Sequence, residues 1–478
     1  MKRIGSKPTG NSAARELRAS GIEMLESRIA PASVLHLTDA NGDIITLTTS
    51  LGTLTDIMIN TTLLPDGHHD QFTVNLFQSM FNGTNLTVTV RKGPHGDGQL
   101  ANLIVDADGN NLGAVSIAGD LGYITAGSGS ATVPAIKSLT VNSIGRYEGE
   151  NGTLETSSIN GSISKLAIKG DMDGTFLDVS ENIGSISIGG SLIGGSGTLT
   201  DDGDIFAGGN IGKVSIRRDV TGGSGEYDGI VAAYLDMGAV AIGGSVYGGS
   251  GEYSASIGGG TNTTSVAVGG SVIGGVGEYS GDIYAAFHAN GTLGKVTLGG
   301  SLIGGAGEGS GMIGYSEGGG GFNVSVTTVV IGRDIVAGGA LFTGDVYADG
   351  GTIGSLTLKG SLIGGTNSNS DNSGLIVASG TQQSGVISIG GSIYGGEVGF
   401  VNGSVDRIII GGSVYGGDAD ASGIVLSGET IGLLEIRGDV IGGAGPSSGA
   451  VQAAAVTTLI IDGVVVPGTG TNSGTVTT

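Results

Sequence analysis

From about residue 113 the hydrophobic pattern repeats as a unit: an apolar-x-apolar triplet, then G-G-[SD], then two apolar residues and a second G-G. SISIGGSLIGG at 185–195, VAIGGSVYGG at 240–249, VAVGGSVIGG at 266–275 and VTLGGSLIGG at 296–305 show it most plainly. Aligning the Ser or Asp that follows the first Gly pair gives Asp171, Ser191, Asp219, Ser245, Ser271, Ser301, Asp334, Ser361, Ser392, Ser413 and Asp439, spaced 20 to 33 residues apart. Strict alternation in the triplet predicts a short strand with one face buried. A second apolar run between anchors, as in GDIFAGG, GIVAAYL, GDIYAAF and GLIVASG, predicts another strand in each unit.

A unit this short cannot bury its own apolar face, so successive units have to stack. Stacked in parallel register, with the triplet side chains inward and the Gly pairs at corners, they form an all-β parallel β-helix, or β-solenoid, right-handed by the general preference of parallel crossovers. A β-propeller needs ~40–50 residues and four strands per blade, which this period does not supply. Residues 113–465 at ~26 per coil give roughly 13 coils, a rod ~60 Å long. Ile188, Val240, Val266 and Leu298 are expected to share one buried aliphatic column. Residues 33–112 carry alternating strands separated by turns at Asp39-Ala40-Asn41-Gly42-Asp43 and Asp106-Ala107-Asp108-Gly109-Asn110, and read as a small N-terminal β-rich cap. Residues 466–478 read as a C-terminal tail.

Composition narrows the function classes. The 478 residues include 100 Gly and no Cys, in neither a Gly-X-Y period nor a disulfide framework. With 43 acidic against 20 basic residues the net charge is −23, which excludes nucleic acid as a partner because phosphate binding needs clustered Lys and Arg. A cation, a glycan or another envelope protein fits better. No apolar run approaches the ~18 residues of a transmembrane helix. Residues 1–32 oppose this trend: Lys2, Arg3, Lys7, Arg15, Arg18 and Arg28 outnumber Glu16, Glu23 and Glu26. Such a change of sign points to a targeting segment ahead of a mature body that begins near Ser33.

Within that segment MLESRIAPAS (24–33) resembles the N-terminal "LESRIAPA" element, related to the LEPR type, of Gly-rich exported β-strand-repeat proteins of Verrucomicrobia and Planctomycetes. TDANGDIITLTTSLGTL and AGDLGYITAG followed by SLTVNSIG resemble modules of the same proteins. The resemblance implies export to the cell surface or beyond and carries no chemistry. The expected function is a non-enzymatic structural or adhesin-like repeat protein of the cell envelope or extracellular matrix. The alternative is a polysaccharide-active β-helix enzyme, a lyase or a glycosidase.

One phrase recurs in four units: GGSGEYDG at 222–229, GGSGEYSA at 248–255, GGVGEYSG at 274–281 and GGAGEGSG at 304–311. Stacking places Glu226, Glu252, Glu278 and Glu308 in a column about 4.8 Å apart, where neighbours repel by roughly 0.9 kcal/mol in water. A solvated row is the preferred reading, and a row of weak Ca²⁺ sites is the other. The phrase resembles the calcium-binding nonapeptide GGxGxDxUx but places Tyr227 where the Asp belongs, so that site is not carried over. Tyr227, Tyr253 and Tyr279 are expected to stack as an aromatic ladder, or else to offer a platform for sugar rings.

Catalytic candidates are few. Parallel β-helices include pectin lyases and polygalacturonases, and Asp201, Asp202 and Asp204 could supply paired carboxylates. The polygalacturonase G-H-G and R-I-K partners are missing, and Arg217-Arg218 has no identifiable carboxylate set beside it in sequence. Asp66, His68, His69 and Asp70, with His95 and Asp97, have metal-ligand character but match no zinc signature. No catalytic residue and no cofactor is therefore assigned.

Overall fold

The computed structural model describes residues 33–146, 155–195, 203–314, 322–365 and 373–478. The chain is all-β and winds as a parallel β-helix with three strands to a coil. Ile211–Ile216, Val220–Thr221 and Val231–Ala233 make one coil, and Met237–Ile242, Val246–Tyr247 and Ile257–Gly259 the next. Thr263–Val268, Val272–Ile273 and Ile283–Tyr284 follow. Each strand pairs in parallel with its counterpart one coil on, so three ladders run along the rod. The coil closes around one axis and is not a barrel. The described residues contain no helix long and apolar enough to cross a membrane.

The triplet of each unit ends its longest strand, and both of its apolar positions face inward because side chains alternate with period two. They build two neighbouring columns where the sequence suggested one. Val214, Val240, Val266 and Val296 form the first, and Ile188, Ile216, Ile242, Val268 and Leu298 the second. All are buried. Val240 and Val266 thus share a column, whereas Ile188 and Leu298 stand two residues further along the strand.

The Ser or Asp of G-G-[SD] stitches consecutive coils at the first corner. Its side-chain oxygen accepts the backbone N–H of the equivalent residue one coil on. Asp219 accepts from Ser245 at 2.8 Å, Ser245 from Ser271 at 3.1 Å, Ser271 from Ser301 at 3.0 Å and Ser392 from Ser413 at 3.0 Å. This satisfies a partly buried donor at a corner, where the strand ladder is interrupted. The acceptor occupies the space beside the second glycine of the next coil: a Cβ on Gly270 would lie 2.2 Å from Ser245 Oγ. Where Arg333 stands in that place, the bond from Asp334 N to Ser301 Oγ lengthens to 3.3 Å.

The N-terminal cap is antiparallel. Ser33–Thr38 pairs with Ile44–Thr49, which pairs with Thr84–Arg91, and Ile59–Leu63 pairs with Asp70–Asn75. Both acidic turns form, with Gly42 at φ +92 and Gly109 at φ +76. Parallel stacking nevertheless begins before residue 113: Asp70–Asn75 runs beside Asn102–Asp108, and Thr84–Arg91 beside Leu112–Ile117. These strands alternate without the G-G-[SD] corner, which hides them from the repeat pattern. At the other end Val476–Thr477 pairs with Val451 and Gln452, so residues read as a tail continue the ladder.

Candidate functional site: an aromatic cleft beside a tyrosine ladder

The Glu-Tyr phrase builds the corner between the second and third strands. Tyr227, Tyr253 and Tyr279 take left-handed backbone conformations, with φ of 65, 57 and 52. Their N–H groups donate to the carbonyl oxygens of Glu252, Glu278 and Glu308 in the following coils, each at 2.9 Å. The loops therefore stack in register like strands. The next residue is a buried hydroxyl that closes the turn: Ser280 Oγ donates to Gly277 O at 2.7 Å and accepts from Gly275 N at 2.9 Å. Ser254, Ser310 and Ser448 do the same, while Asp228 accepts from Gly225 N.

Register turns the tyrosines into a ladder. Tyr227 and Tyr253 stack at 5.2 Å between ring centroids and 8° between planes, and Tyr253 and Tyr279 at 5.5 Å and 17°. The ladder ends over Gly309, where a Cβ would meet Tyr279 Cε1 at 2.3 Å. Both faces of Tyr253 are thus occupied by its neighbours, which leaves ring edges, not faces, along the ladder's side. Glu226, Glu252, Glu278 and Glu308 are all exposed. Replacing the four with Gln should leave the melting temperature unchanged or slightly higher, because repulsion along the column is removed. Calcium should have no effect; a rise of several degrees with Ca²⁺ that is absent from the fourfold variant would establish shared cation sites.

The ladder forms one wall of a cleft of about 340 Å³ on the third face. Its floor is the row of outward positions Phe206, Ala232, Gly258 and Tyr284, which are paired coil to coil. The two small residues leave a gap between the aromatic ones, and Tyr284 leans over Gly258, where a Cβ would lie 2.7 Å from its Cδ2. The opposite wall is Tyr234 stacked on His288 at 4.2 Å, with the His288 ring nitrogen against the Tyr234 carbonyl. Phe287 meets Tyr284 at 6.2 Å and 56°, so the two rings form adjacent sides of a box. Burial, with the nearby Tyr227 and Asp204, raises the Tyr284 phenol above its ordinary pKa. Among the described residues three Phe and five Tyr line this cleft. Sequence reasoning reached only the ladder; the clustering of rings between residues 176 and 288 was the signal for the rest.

Two buried carboxylates also line the cleft. Asp204 Oδ1 accepts from Ile230 N at 2.8 Å and Asp282 Oδ1 from Met312 N at 2.7 Å, each bracing the coil above. Asp201 and Asp202 lie outside the described residues. Arg217 and Arg218 are exposed and replace a Gly pair at the first corner.

The metal-like residues of the cap meet only in part. His69 Nδ1 lies 2.5 Å from Asp66 Oδ2 and its Nε2 3.0 Å from Asp97 Oδ2, so both ring nitrogens are engaged. The His68 and His95 side chains are exposed, and the backbone N–H of His68 donates to Asp66 Oδ1 at 2.8 Å. Among the described residues no group of three or more His, Cys, Asp or Glu is arranged to hold a metal ion. Asp97 sits in a loop pinned by buried Asp43, which accepts from Gly93 N at 2.7 Å and from Gly98 N at 2.6 Å.

Partial burial opposes the charged imidazole of His69, but the hydrogen bonds it donates to Asp66 and Asp97 outweigh it and raise its pKa above 6.5. The bond to His69 lowers Asp66 to about 2. Asp97 is also lowered, its bond to His69 overcoming partial burial. The raised histidine stabilises the cap fully below pH ~6.5 and less as pH climbs through its folded value. The lowered carboxylates stabilise it above pH ~4 and less as pH falls through theirs. Amide exchange in the loop at 64–69 should therefore be slowest between about pH 4 and 6.5 after correction for intrinsic rates. His69→Gln should flatten the alkaline side of that profile.

No family model, curated protein or solved structure matches the chain.

Proposed function

We propose that the protein is a non-enzymatic, exported repeat rod of the cell envelope or extracellular matrix, adhesin-like in presenting long side walls to envelope proteins or glycans. The observation that supports this reading is the way its inner polar groups are used. The Ser and Asp of the corners, the hydroxyls under the tyrosines, and Asp204 and Asp282 all hold backbone amides of the same or the next coil. Side chains committed in this way brace a rod. Glycosidase carboxylates stand roughly 5–9.5 Å apart, whereas Asp204 and Asp282 are separated by three coils, ~14 Å at ~4.8 Å per coil. Export is supported by the basic residues 1–32 ahead of an acidic body and by the LESRIAPA-like stretch.

Fractionation with mass spectrometry should find the protein in the envelope or medium with a mature start near Ser33; a wholly cytosolic pool would refute export. Incubation with acidic and neutral polysaccharides should produce no new chain ends. Cleavage that disappears in Asp204→Asn would replace the rod reading with the enzyme.

A further inference from the structure

The outward position of the third strand is not prescribed by the coil: it carries Tyr347, Val377, Gly399 or Leu426 in later coils, whereas here the small pair Ala232 and Gly258 is bracketed by Phe206 and Tyr284. The surroundings have two further properties. Among the described residues no Lys or Arg lines the cleft, and its carboxylates Asp204 and Asp282 are almost completely buried beside the rings. Just outside the ladder stand the exposed Glu226, Glu252 and Glu278. The walls are apolar, and among the described residues the groups of acid character in and beside them, Asp204, Asp282, Glu226, Glu252 and Glu278, face no Lys or Arg.

These properties select a ligand class. A neutral sugar needs several hydrogen-bonding partners beside a ring face, but the polar side chains Asp204, Asp282 and Ser256 are already committed to backbone groups of the coils. An anion would meet only negative charge. A soft organic cation instead gains from the electron-rich aromatic box, from carboxylates that balance its charge, and from walls that shed water against its methyl groups. We propose that this cleft binds a methylated ammonium group, seated between Phe206 and the Tyr284–Phe287 corner. The inference goes beyond the rod reading and stands wherever the rod resides.

The test is calorimetric titration of the full chain with choline and with its uncharged isostere 3,3-dimethylbutan-1-ol, in about 0.15 M salt so that the diffuse acidic field is screened. Choline should saturate one site and bind at least about tenfold more tightly than the isostere. Asp282→Asn keeps the oxygen that accepts from Met312 N, so it should weaken choline by about tenfold with little change in melting temperature. Phe206→Ala should abolish saturation. Equal affinity for choline and the isostere would show a merely apolar pocket and overturn the proposal. So would saturation by a neutral oligosaccharide such as maltohexaose in place of choline, or no choline binding to the wild-type chain, results that need no variant to fold.

Discussion

Val266→Asp should be the most damaging single change in the middle of the rod, costing about 3–5 kcal/mol, the range seen when a charge is left buried without a partner. Val266 is fully buried between Val240 and Val296, in a column without a polar neighbour. Coils touch only the coils on either side, so the damage should also divide the molecule. Thermal denaturation followed by circular dichroism should show two transitions where the parent shows a more concerted one. Ala267→Asp is the control. Ala267 is exposed on the opposite side of the same strand, and the change there should cost less than about 1 kcal/mol. If Val266→Asp melts within a degree of the parent, the column does not exist as described.

Gly275→Ala should come second, at roughly 1–3 kcal/mol or more for a single methyl group. A Cβ there would lie 2.0 Å from Gly249 O and 2.7 Å from Gly248 C, both backbone atoms of the preceding coil that cannot swing aside. The same close approach recurs at Gly249 and Gly305, so this corner tolerates no side chain because coils touch there through their main chains. Gly339→Ala supplies the contrast, since a Cβ at that glycine meets nothing within 4 Å. It should be neutral or stabilise slightly by restricting the unfolded chain. Equal losses at the two positions would mean that glycine matters here for reasons other than contact.

Much of this architecture was legible because a repeat states the same physics many times. The triplet revealed its inward faces, and the regular anchor spacing required stacking. What it left unclear was why the anchors are Ser or Asp: Asp219 and Ser245 carry an acceptor on a short stem, and only coil-to-coil geometry shows which amide each one meets. The coils at 70–108 were missed because their corners are built differently. The tyrosine ladder could be foreseen from spacing alone, since one period maps onto one rise. The opposite wall could not, because Tyr234 and His288 lie 54 residues apart and meet two coils from one another. Likewise His69 reaches Asp97 across 28 residues, and that link turned a metal-like cluster into an ion network.

The side-chain stitch at the first corner also bears on how such a rod can change length. Successive units present an acceptor upward and an amide downward at the same place until Val464, which offers an amide alone, and the partner can be Ser or Asp without alteration to either neighbour. Excising residues 237–262 would bring Asp219 under the amide of Ser271, Val214 under Val266 and Tyr227 beside Tyr279, each a pairing of a kind already present. Units are therefore interchangeable parts, and gene duplication or loss of a whole unit inherits a matched joint at both ends. Length becomes a quantity that selection can adjust by copying, while the cleft, which needs particular rings in consecutive units, resists such editing and marks the stretch of the rod whose order cannot be shuffled.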